Sequence, residues 1–179
     1  MRYLVDTSVL ARARQDVVGE RLASLAQAGQ LWTCRLIDLE VVYGSRARDV
    51  ADVIEERRAL PEAPITTDVM LRALQTARAM AAAGFHRGAK PVDLVIAAAA
   101  EAAGLAVLHY DDDYDRIAAV TRQPMEWVAP AGSLDRCSVA AGEPAALCTH
   151  PSPAGAAGFC YWYNRASRGS RREAPRPGK

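Results

Sequence analysis

Short apolar runs alternate along this chain with longer stretches whose apolar residues recur at helical spacing. Residues 2–5 are short, apolar and suited to a strand, and Asp6-Thr7-Ser8 then offers side-chain oxygens for a helix N-cap. Val9 to Arg14 reads as that helix, and Glu20 to Ala28 as a second, closed by Gly29. Leu31-Trp32-Thr33 is a short strand. Leu36 to Arg46 reads as a helix interrupted late by Gly44, and Val50 to Leu60 as another, ended by Pro61. Ile65 marks a weak strand. Thr66-Thr67-Asp68 opens a long helix, Val69 to Ala83, ended by Gly84, and residues 85–90 form a loop. Pro91 fits the first turn of the next helix, Val92 to Ala103. Ala106–His109 is a strand, Asp113–Val120 a short helix and Met125–Val128 a last strand. Strands separated by helices predict an α/β fold: a parallel sheet of four to five strands, with helices on both faces.

After Leu134 the pattern ends. The last 45 residues are rich in Ala, Gly, Pro, Ser and Arg and hold no sustained period. They read as a disordered or poorly packed tail, 135–179, appended to one domain, 1–134. The tail's one cluster suited to transient contact is Phe159-Cys160-Tyr161-Trp162-Tyr163. Its composition equally resembles translation past an original stop codon.

Charge sharpens this division. The whole chain carries +1, but residues 135–179 hold seven Arg or Lys against three acids, leaving 15 basic and 18 acidic residues in 1–134. Bulk positive charge therefore does not draw nucleic acid to the domain. Local basic groups or a metal must do so.

Only Cys34 of the four cysteines precedes residue 135, so the domain has no disulfide framework and suits a reducing cytoplasm. Cys137, Cys148, Cys160 and His150 lack the close paired spacing of a zinc site. The N-terminus does not read as a signal peptide, because Asp6 breaks the first apolar run. No segment approaches the roughly 18–20 apolar residues that span a bilayer, so no membrane association is expected.

The chemistry lies in acids at the ends of apolar runs or inside them. Asp6 ends the first run and Asp111 a later one, while Glu40 and Asp93 sit within apolar stretches. Unpaired carboxylates are costly to desolvate, so four from distant parts of the chain imply a positive partner among them. In open α/β sheets ligands lie beyond the carboxyl ends of the strands, where Asp6 and Asp111 fall. Asp93 lies in the first turn of its helix, and Glu40 shares a partly inward face with Leu36 and Tyr43. Such a set of hard oxygens suits Mg²⁺ or Mn²⁺. The ion would activate water and neutralise a phosphoryl oxygen, with Thr7 or Ser8 touching that water or the phosphate. Phosphodiester hydrolysis is the reaction this supports.

Each piece has a plainer meaning by itself. Asp6-Thr7-Ser8 suits a helix cap, Asp93 favours the helix dipole, and Asp111-Asp112-Asp113 suits a solvated turn. Pairing with Arg35 or Arg46 would satisfy Glu40. The joint occurrence, in order and in β-α context, favours the site. A haloacid-dehalogenase-like phosphatase needs a second Asp two residues after the first, where this chain has Ser8. A phosphoreceiver domain needs a middle-strand acceptor Asp and a late Lys, and neither is convincing here.

Leu4-Val5-Asp6-Thr7-Ser8, Leu39-Glu40 with Tyr43-Gly44, and Val92-Asp93-Leu94-Val95-Ile96-Ala97-Ala98-Ala99-Ala100 resemble PIN-domain ribonucleases. With Leu108-His109-Tyr110-Asp111-Asp112-Asp113-Tyr114 added, the chain resembles most closely the VapC toxins of bacterial toxin–antitoxin pairs, over residues 2 to 133. That resemblance implies a three-layer α/β/α PIN-like fold and a Mg²⁺-dependent endoribonuclease, usually a homodimer, held inactive by a VapB-type antitoxin. The first three family acids fall on Asp6, Glu40 and Asp93; Asp111 and Asp113 are preferred over Asp112 for the fourth. In this expectation Asp6 and Asp93 hold Mg²⁺ (or Mn²⁺) directly, while Glu40 and Asp111 or Asp113 bind through water or orient the attacking water. His86, Arg87 and Lys90 are placed to engage the RNA backbone, or else form an ordinary solvated turn. His109 is expected to be structural. The competing expectation is a catalytically silent PIN-like scaffold that binds RNA or protein.

Overall fold

A computed structural model describes residues 1–134; the expectations for the tail, its aromatic cluster and its cysteines lie outside the described residues. Four parallel strands form one sheet in the order β2-β1-β3-β4: β1 (Tyr3–Val5), β2 (Leu31–Trp32), β3 (Ala106–His109) and β4 (Met125–Trp127). Every residue of β1 and β3 is buried, as expected of parallel strands covered on both faces. No fifth strand forms at Ile65 among the described residues. Pro61 and Pro64 precede it, and only a single bridge, Thr33 to Glu62, extends the sheet there.

The helices are α1 (Thr7–Leu10), α2 (Asp16–Gln27), α3 (Arg35–Tyr43), α4 (Val50–Arg58), α5 (Thr67–Ala82), α6 (Pro91–Ala102) and α7 (Asp113–Thr121). A 3-10 turn, Ala47–Asp49, leads into α4. The first helix is shorter than the pattern predicts: it stops at Leu10, and turns carry the chain to Arg14. The second begins earlier, at Asp16, whose carboxylate suits a first turn. Gly104 follows α6 with φ 64°, a left-handed turn that costs glycine little and directs the chain into β3.

Helix α6 is the centre of the core. Val95, Ile96 and the four alanines Ala97–Ala100 are all buried, and the helix packs against α5, β1 and β3. Small side chains all round let those neighbours approach closely. Leu4, Val5, Val107 and Leu108 fill the sheet's middle. One buried charge is answered inside this frame rather than at its edge. The carboxylate of Asp38 accepts from Arg57 at 2.7 Å and from Thr33 at 2.7 Å, and Arg57 is only 2% exposed.

Candidate metal centre

Parallel register brings the first and last acids together. Val5 pairs with Leu108, so β1 and β3 end side by side. The Asp6 amide donates to the Leu108 carbonyl at 3.0 Å, and the Tyr110 amide donates to Ser8 Oγ at 2.9 Å. The chain therefore leaves both strands at one edge, with Asp6 on one exit and Asp111 two residues beyond the other. Asp6 is also the N-cap of α1, its Oδ2 accepting from the Ser8 amide at 2.8 Å. Capping and membership of the acidic set thus coincide in one side chain.

Helix α6 aims a third acid at this edge. Asp93 is buried in its first turn and accepts from the Lys90 amide at 3.2 Å, one half of a capping box. Carboxylate oxygens of Asp93, Asp111 and Asp113 all lie within 4.8 Å of one another. Asp112 points elsewhere: its side chain is 64% exposed and pairs with Arg116. Glu40 comes from α3, where Thr7 Oγ1 donates to its Oε2 at 3.0 Å. Arg35 does not pair with it, binding Asp38 and Glu62 instead.

Two cations temper the cluster. Lys90 Nζ lies 3.0 Å from Asp111, 3.7 Å from Asp113 and 3.9 Å from Asp93. Arg116 holds both Asp112 and Asp113 and donates to the Gly88 carbonyl at 3.1 Å. That bond ties the 84–90 loop to α7. The turn is tight at Gly88, where a Cβ would meet the Phe85 carbonyl oxygen at 2.9 Å. His86 and Arg87 are exposed on this loop, Arg87 with φ 67°, while Lys90 turns into the acids.

The electrostatics follow from burial. Desolvation pushes the Asp93 carboxyl up to about 7, with the Asp6 and Asp111 charges acting the same way against the opposing pull of Lys90. Glu40 is raised by burial and by the charge of Asp6, although the Thr7 bond favours its ionised form. Burial also works against ionisation of Asp111. The Asp113 amide and the Lys90 ammonium outweigh it, so this carboxyl sits below its ordinary range. His109 is fully buried, its Nδ1 2.9 Å from the Asp111 carbonyl oxygen and its ring between Tyr114 and Trp127; burial lowers its pKa.

One participant is not visible in the sequence pattern. Tyr114 is fully buried on α7, and its hydroxyl donates to Asp6 Oδ1 at 2.8 Å. Its nearest sequence signal is the aromatic residue directly after Asp113. Beside the acids, a cavity of about 720 Å³ is lined by Thr7, Leu39, Glu40, Val42 and Tyr43, with Leu39 and Tyr43 largely exposed.

The donor set is all carboxylate, closely spaced and partly desolvated. It fits a hard divalent cation, with Asp93, Asp111 and Asp113 as the residues near enough to share one. A parallel sheet with helices on both faces and acids gathered at its carboxyl edge defines a class. The chain belongs to the PIN-domain family, whose model matches residues 3–120.

Within that family its relatives carry the name VapC. It is 42% identical over 134 residues to Ribonuclease VapC21 of Mycobacterium tuberculosis, covering 74% of this chain and 97% of that protein. Ribonuclease VapC18 of the same species is 41% identical over 137 residues, covering 75% and 100%. The fold is shared with a DNA-bound VapBC structure from Salmonella typhimurium, with TM-score 0.59 and 18% identity over 72% of this chain and 99% of that one.

Proposed function

We propose that this protein is a Mg²⁺-dependent endoribonuclease, the toxin of a toxin–antitoxin pair, and that residues 1–134 suffice for the activity. The observation that carries the reading is the meeting of Asp93, Asp111 and Asp113 with Asp6 and Glu40 alongside, from four separate elements. Its relatives' name, ribonuclease, supplies the substrate class.

A divalent ion bound here would supply Lewis-acid stabilisation of the phosphoryl oxygen and an activated water at neutral pH. Asp93, Asp111 and Asp113 would hold it, and Asp6, fixed through both oxygens, would complete its shell. Glu40 is the half-buried carboxylate with a raised pKa, fitted to orient the attacking water and take its proton. Thr7 donates to Glu40 and so serves an acid before any phosphate, while Ser8 Oγ accepts from the Tyr110 amide and ties the two strand exits together. Lys90, released from the carboxylates, would meet the RNA backbone beside His86 and Arg87.

The cavity beside Glu40 supports the partner. An antitoxin helix would bury apolar side chains against Leu39, Val42 and Tyr43 and offer an Arg to the acidic set. The exposed apolar stripe Met70, Leu71 and Leu74 on α5 supports self-association as a homodimer. The silent scaffold is less favoured, because a binding module gains nothing from gathering carboxylates at this desolvation cost.

The test is to map RNA 5′ ends after induction of wild type, D6N and D93N, each with and without a co-expressed cognate VapB-type antitoxin. New ends are expected from wild type alone, suppressed by the antitoxin. Cleavage by pure D93N at the wild-type rate would sink the assignment.

A further inference from the structure

We infer that Tyr114 is a positioning residue for the acidic site: its hydroxyl fixes the Asp6 carboxylate and ties the end of β1 to the helix that carries Asp113. The inference rests on the metal-centre reading above and names a residue that reading does not require.

An ionised carboxylate only accepts hydrogen bonds, so the phenol must donate. Its 2.8 Å bond goes to Oδ1 of Asp6, while the Ser8 amide takes Oδ2 at 2.8 Å. With one fixed donor on each oxygen, the carboxylate plane cannot rotate, and each oxygen keeps a further lone pair for the site. The donor itself is rigid. Tyr114 is 0% exposed, and its ring packs 5.0 Å from the His109 ring. His109 in turn holds the Asp111 carbonyl through Nδ1. One aromatic pair therefore links Asp6 to the separate stretch of chain that carries Asp111 and Asp113. A buried phenol needs some acceptor, and the one Tyr114 takes is a carboxylate of the acidic set rather than a backbone carbonyl of the core.

Substituting Phe keeps the ring and deletes one oxygen. Partners that orient metal ligands typically contribute about 10–100-fold to metal affinity. Calorimetric titration of Mn²⁺ into the full chain should therefore show Y114F binding about 10–100-fold more weakly than wild type. Excess Mn²⁺ should restore RNA cleavage by Y114F, which a purely structural defect would not allow. An Mn²⁺ affinity for Y114F within about twofold of wild type overturns the inference. D93N is the control for the underlying reading: if it binds Mn²⁺ as wild type does, the metal centre itself is wrong and this inference falls with it. A second measurement needs no variant. In wild type labelled at the tyrosine Cζ, Mg²⁺ should shift the Tyr114 resonance through Asp6, and an unmoved resonance overturns the inference even if Y114F fails to fold.

Discussion

At Asp93 two demands oppose each other. The carboxyl must be ionised to hold a cation, yet burial, with Asp6 and Asp111 nearby, raises it to about 7. Below that value it is protonated, and binding a metal must expel the proton. Mn²⁺ affinity is thus predicted to fall up to about tenfold per pH unit below about 7 and to level off above it. Titration calorimetry across this range checks the sign; affinity that rises as the solution is acidified would contradict it. Linkage gives a second consequence for the metal-free fold. Between the ordinary carboxylate range and about 7 the native state binds the extra proton, so Asp93 destabilises the fold as pH rises through that window. Lys90 sets a competition at the same oxygens, since an ammonium 3.0 Å from Asp111 and an incoming ion repel each other. K90M is predicted to tighten Mn²⁺ binding by about tenfold, on the order of 1 kcal/mol for a solvent-screened charge pair. An unchanged or weaker affinity would show that Lys90 does not compete for the site.

The elements divide into those the pattern dictates and those held by particular side chains. Helices α5 and α6 were legible to within one or two residues of each end, because a threonine cap, a proline and closing glycines mark them. The α3–α4 pair depends instead on a contact no local pattern shows. Arg57 near the end of α4 reaches the buried Asp38 of α3 across 19 residues, with Thr33 beside them. Removing one member of a buried ion pair costs about 3–5 kcal/mol, because the other is left uncompensated. Asp38 keeps Arg35 at 3.1 Å, so R57L is predicted to lower unfolding free energy in urea toward the lower end of that range, by about 3 kcal/mol. A loss under about 1 kcal/mol would mean that water or neighbouring groups take over from Arg57.

For the whole molecule, Leu134 marks where the apolar pattern ends, and its amide still donates to the Tyr110 hydroxyl at 2.8 Å. A chain ending there keeps the entire sheet and all five carboxylates. Truncation after Leu134 is predicted to leave the urea midpoint and RNA cleavage essentially unchanged; loss of either would assign the remaining residues a role. The sequence alone determined the α/β class, the parallel β-α order and which acids are unusual, because apolar periodicity and buried charge are properties of local stretches. Residue order alone did not separate Asp111, Asp112 and Asp113; the family resemblance favoured Asp111 and Asp113 but could not say what sets Asp112 apart physically. The turn out of β3 decides that, exposing Asp112 to Arg116 and turning its neighbours toward Asp93. Nor could it place Lys90 among the carboxylates, pair Asp38 with Arg57 or set Tyr114 against Asp6. The Tyr114–Asp6 contact spans 108 residues and exists only once parallel register has brought β1 and β3 to a common edge, while the Asp38–Arg57 pair needs α4 folded back on α3.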